Sequence, residues 1–91
     1  MDKDEARALV DDRLLQLRQL SYHQLRDLEK ERSEVVAESG VTYQIVSYVL
    51  EDDKKQGHVR VCVAADDGGW HAFGPLVSDF IIAPDGTFIG E

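Results

Sequence analysis

Two β-rich runs, Val41–Leu50 and His58–Ala65, with the polar connector Glu51–Gly57 between them, constrain this chain most. β-branched and aromatic residues fill both runs, and the connector is charged and ends in Gly. That is the pattern of two antiparallel strands and their loop. In the second run Val59, Val61, Val63 and Ala65 alternate with His58, Arg60, Cys62 and Ala64, which gives one apolar face. The first run differs. Val46, Tyr48 and Leu50 share one side, and Val41, Tyr43, Ile45 and Val49 share the other. A strand apolar on both sides belongs to a sheet covered on both faces, or to one that keeps a face for a partner.

Ahead of these strands the period changes. Leu9, Val10, Arg13, Leu14, Leu17 and Leu20 recur at spacings of three and four, and residues 1–32 contain neither Gly nor Pro, so this stretch is helical. Asp2 or Asp4 caps its start, and the early acids suit the positive end of a helix. Ser21 with Gln24 three residues on forms a capping-box pattern, and Leu20 and Leu25 flank it as a hydrophobic staple. A break at Ser21 is therefore favoured, with a second helix from Tyr22 to about Arg32. One continuous helix is the rival, but its heptad seam would carry Ser21 and Gln24.

Ser33–Ser39 suggests a short strand, turned by Glu38-Ser39-Gly40 directly into the Val41 run. Downstream, Asp66-Asp67-Gly68-Gly69 marks a turn, Trp70–Phe73 a strand, and Gly74-Pro75 an interruption. Leu76–Ser78 fits a bend or short crossover, Asp79–Ala83 a strand, Pro84-Asp85-Gly86 a turn, and Thr87–Ile89 a last short strand. The expected architecture is α+β: one or two N-terminal helices packed on an antiparallel β-meander of four to six strands. It forms a single domain over 1–91, with a helical part 3–32 and a β part 34–90. The expected core is Leu14, Leu17, Leu25, Leu28, Val46, Tyr48, Val61, Val63, Phe80 and Ile82.

Charge excludes several functions. The chain carries a net −8; residues 1–34 account for −2 of it and residues 35–91 for −6. The sheet half would repel a phosphate backbone, so neither nucleic acid nor an anionic membrane is an expected partner. Cys62 is the sole cysteine, which rules out an internal disulfide and a thiolate zinc cluster. A short chain without a disulfide framework fits a reducing compartment. Its first residues lack the basic-then-apolar pattern of a signal peptide, and no apolar run approaches a membrane span. A cytoplasmic location is expected.

No motif rises above that of a soluble α+β domain. The acids Asp52, Asp53, Asp66, Asp67, Asp79 and Asp85 lie in or beside predicted loops, where Asp begins turns by accepting local amides. The spacing of His23, His58, Cys62 and His71 matches no compact zinc pattern. His58 and Cys62 share a strand side but stand about 13 Å apart along it, so a metal would need His71 from a neighbouring strand. Cys62 is expected to be a small buried hydrophobe. The glycines lack the strand-then-helix setting and the Lys-Ser/Thr of a phosphate cradle. No cofactor is called for.

Trp70–Ile82 gathers Trp, Phe, Leu and Ile around Gly74-Pro75, and aromatic residues of this kind anchor interfaces. The leading expectation is a protein–protein interaction or accessory module, with Trp70, Phe73 and Leu76 at the contact and a homodimer favoured over a monomer. An alternative is a small metal-binding protein or enzyme using His58, Cys62, His71 and Asp66 or Asp67, and an enzymatic role is the less favoured. A third is an acidic inhibitor that docks on a basic protein.

Residues Asp66–Glu91, with Ser21–Leu28, resemble a small group of uncharacterised bacterial proteins. The resemblance implies a bacterial cytoplasmic origin and no activity, substrate or catalytic residue.

Overall fold

The computed structural model describes residues 2–68 and 76–90. Helix α1 spans Lys3–Arg18 and helix α2 Tyr22–Arg26; the strands are β1 (Glu31–Val36), β2 (Thr42–Asp53), β3 (His58–Asp66), β4 (Leu76–Ile82) and β5 (Phe88–Ile89). The strands pair antiparallel in chain order, β1-β2-β3-β4-β5. The α+β meander expected from the sequence is the observed fold. The strand expected at Trp70–Phe73 lies outside the described residues.

Local chemistry sets the helix ends. Asp2 Oδ1 accepts from the amides of Asp4 (3.0 Å) and Glu5 (3.2 Å), satisfying donors that have no partner inside the first turn. The helical pattern does break at Ser21. Its Oγ accepts from the Gln24 amide at 3.2 Å while the Gln24 side chain accepts from the Ser21 amide at 2.9 Å, the reciprocal capping box. The second helix ends at Arg26, short of the expected Arg32, because the chain turns extended and joins the sheet already at Glu31. Leu76–Ser78, expected as a bend or short crossover, is the start of β4 and pairs with Val63–Ala65.

α1 lays Ala6, Val10, Leu14 and Leu17 on the sheet, and Tyr22 and Leu25 of α2 extend the same layer. Beneath them lie Tyr43 and Ile45 of β2, Val59, Val61, Val63 and Ala65 of β3, and Phe80 and Ile82 of β4. Leu28 packs partly buried against this cluster. Arg13, which falls inside the apolar helical pattern, turns its guanidinium to Ser47 Oγ (3.3 Å), Gln16 (2.9 Å) and Glu31 (3.3 Å). It thereby supplies a partner to Ser47, the buried polar side chain on that face. Glu5 Oε1 similarly ties α1 to the sheet, accepting from Tyr43 Oη at 3.0 Å and from Ser39 Oγ at 2.7 Å.

Val46 and Tyr48 are not in this core, contrary to expectation. They project from the other side of β2 and are only partly buried. The cause is a register shift between Glu51 and Asp53. Next to the turn Asp53 opposes His58, and that register continued unshifted would set Tyr48 opposite Val63 and Val46 opposite Ala65. With the extra residue, Tyr48 opposes Cys62 and Val46 opposes Ala64. Because side chains alternate with period two, one inserted residue exchanges the two faces of a strand.

Candidate functional site

Among the described residues, the helices cover one face of the sheet and nothing covers the other. Residues directly opposite on paired strands share a face, so the register maps the open one row by row. Arg32, Val46, Ala64 and Val77 form one row; Tyr48, Cys62 and Asp79 the next; Leu50, Arg60, Ile81 and Ile89 a third. Leu50 is 51 % exposed, Val77 47 % and Ile89 37 %. Single exposed apolar residues are ordinary; here three share one sheet face, together with the partly buried Val46, Tyr48 and Ile81, and an apolar face of this kind marks a contact surface.

A charged group crosses this face. Arg60 donates through Nη1 to Asp79 Oδ2 at 2.7 Å and through Nη2 to Asp52 Oδ1 at 2.9 Å. These carboxylates, Asp79 foremost, hold the guanidinium further toward its protonated form than usual. With Arg32 and Glu34 on the same face, together with Asp66 opposite Gln44, acids outnumber bases there.

Cys62 lies on the open face yet is 3 % exposed. Its cross-strand neighbours Tyr48 and Asp79 cover it. Burial, and then the Asp79 charge, push the thiol pKa up; burial, and then Cys62, push up the Tyr48 phenol. A thiol in this setting is protonated and inert at neutral pH, as the expected small hydrophobe would be.

Among the described residues, the others singled out in the sequence do not converge. His58 lines a groove of about 410 Å³ between α2 and the β2–β3 turn, with Tyr22, Arg26, Lys54 and Asp53. Asp53 is occupied there, accepting from the amides of Lys55 (3.0 Å) and Gln56 (3.3 Å) and from Gln56 Nε2 (3.0 Å). These bonds, led by the Gln56 amide, lower its pKa. Asp66 accepts from the Gly68 amide at 3.1 Å and Asp85 from the Thr87 amide at 2.9 Å, so both carboxylates serve turns. Among the described residues no three His, Cys, Asp or Glu side chains gather as metal ligands. Trp70, His71 and Phe73 lie outside the described residues. Leu76 opens β4 on the helix-covered side, partly buried against the core.

Among the described residues no helix is long and apolar enough to cross a membrane. No protein-family model, curated protein or solved structure matches the chain, so the geometry of the open face carries the functional reading.

Proposed function

We propose that this chain is a protein–protein interaction module that docks a partner on the uncovered face of its sheet. The observation that carries the reading is the one-sided cover: helices bury Tyr43, Ile45, Val61 and Val63, while Leu50, Val77 and Ile89 stand exposed on the reverse. Arg60, with its two carboxylates, sets a fixed charged group within this apolar surface, and such a group orients a partner. Its acidic balance favours a basic partner. Trp70 and Phe73, interface anchors by residue type, are proposed as part of the contact; Leu76, on the helix-covered side of β4, is not.

The test is affinity capture from a lysate of the source organism on two baits, the wild type and Val46→Lys/Leu50→Lys. Both substitutions fall on the open face and leave the helix-side core intact. A partner retained stoichiometrically by the wild type and lost by the variant supports the reading. Equal retention by both baits places the contact elsewhere and overturns it.

A further inference from the structure

α1 rests on β3 and β4, and β1 lies two strand spacings from β3, about 10 Å away. A helix with its side chains is about 10–12 Å across, so α1 does not reach over β1. Two side-chain bridges span the gap instead. Glu5 Oε1 accepts from Ser39 Oγ of the β1–β2 turn at 2.7 Å, and Arg13 Nη2 donates to Glu31 Oε2 of β1 at 3.3 Å. Glu5 and Arg13 are two helical turns apart, about 12 Å along the axis, and Leu9 lies midway between them.

A groove of about 290 Å³ follows this gap, and all of its lining residues are described. Leu9 and Val35, both partly buried, and the buried Ile45 form an apolar pit at one end; Arg13 and Gln16 close the other. Arg13 directs its three nitrogens to Ser47, Gln16 and Glu31, so its charge is spent within the protein. Asp12, between pit and bridge, differs. It is exposed and, among the described residues, makes no hydrogen bond or ion pair. The groove is thus apolar inside with an uncompensated carboxylate at its mouth. Its volume falls just short of the roughly 300–1,000 Å³ of small-molecule sites, and the acids Asp12 and Glu31 repel a phosphate. A side chain fits better.

We infer that the groove between α1 and β1 is a docking site for a protein partner that presents one leucine-sized apolar side chain beside a lysine or arginine. The apolar side chain fills the pit over Ile45, between Leu9 and Val35, as an aliphatic anchor held in a pocket. The neighbouring cation reaches Asp12. The bridges from Glu5 and Arg13 fix the helix to the β1 side of the sheet at two points, so the groove is preformed and binding does not have to order it. This site lies on the helix side of the sheet, opposite the open face. It goes beyond the docking reading, and the two fail separately.

Amide chemical-shift mapping of the isotope-labelled full chain with the capped peptide acetyl-Ser-Leu-Lys-Ser-amide tests it. Saturable shifts are expected at Leu9, Asp12, Ser33 and Val35, with a Kd of about 1–10 mM, weak as a single anchor must be. Alanine in place of the peptide's leucine is expected to weaken binding about tenfold or more, and glutamine in place of its lysine about two- to fivefold. Asp12→Asn, a change at an exposed position, is expected to weaken the lysine peptide by that same factor and leave the glutamine peptide unaffected. Val46→Lys/Leu50→Lys, on the open face, is expected to change nothing. Absence of saturable shifts at ten times the expected Kd overturns the inference, as does equal binding of the alanine peptide or indifference to Asp12→Asn. Shifts centred on Ala64 and Val77 also overturn it, and assign the peptide to the open face.

Discussion

The Tyr22 hydroxyl donates to the Gly57 carbonyl, joining the short second helix to the turn between β2 and β3. Gly57 has a positive φ of 74°, and a Cβ there would stand 3.0 Å from Pro84 Cγ and 3.3 Å from Tyr22 Oη. Glycine is required twice over, by conformation and by space. Gly57→Ala is expected to cost about 1–2 kcal/mol, and Tyr22→Phe about 1 kcal/mol for the lost hydrogen bond. In a double-mutant cycle by urea unfolding the two effects should be less than additive, since both act on one contact. Strict additivity would mean that helix and turn are independent.

Ser21 fixes where α2 begins. Ser21→Ala removes the acceptor for the Gln24 amide and is expected to cost about 1 kcal/mol, while Ser21→Asp, which keeps an acceptor, should cost only a few tenths. Denaturation midpoints of the two variants measure the difference. Equal losses would show that the hydroxyl acts through something other than the cap.

Leu15 and Leu17 separate packing from surface on one helix. Leu17 is buried in the core and Leu15 is exposed. Leu17→Ala should cost about 2–5 kcal/mol and Leu15→Ala stay within about 0.5 kcal/mol of zero. Comparable losses would contradict the orientation of α1.

Three groups link stability to alkaline pH. Tyr43, through burial and then its bond to Glu5, has a raised pKa, as do Tyr48 and Cys62. The unfolded chain releases these protons first, near the ordinary values of about 8.5 for Cys and 10 for Tyr. The stability they contribute is therefore complete below those values and is lost as pH rises through the folded pKa values. The urea midpoint should fall between pH 8 and 10.5, and Cys62→Ala should delay the onset. A thiol reagent at pH 8 should label Cys62 only on unfolding. Immediate labelling of the native protein would refute the cover by Tyr48.

The break between the helices was legible because Ser21 and Gln24 encode it in side chains three residues apart. The meander was legible from the alternation of Val59, Val61 and Val63 and from the Asp-Gly turns. What the sequence did not reveal was which side of β2 the helices cover. Both sides are apolar, so parity separates Val46 and Tyr48 from Tyr43 and Ile45 without ranking them. The deciding feature is the bulge between Glu51 and Asp53, inside a run of charged residues that carries no hydrophobic pattern to betray it. Ser47, polar amid apolar neighbours, was the available hint, and it is explained only when Arg13 arrives from the helix. The sequence left open whether both faces are covered or one is kept for a partner, and the membership of each face depended on that one residue of slip.

Every strand of this sheet pairs with its neighbour in the chain, whereas α1 rests on β3 and β4. The helix is therefore made well before its seat. As the chain leaves the ribosome, at roughly 5–20 residues per second, Val10, Leu14 and Leu17 lack their full cover until Phe80 and Ile82 have joined Val61 and Val63. Hairpins joined by short turns close quickly on their own, so the nascent molecule is a growing ribbon with an unattached amphipathic helix. During those seconds the helix is the part of the chain most open to capture by a chaperone or by another nascent copy.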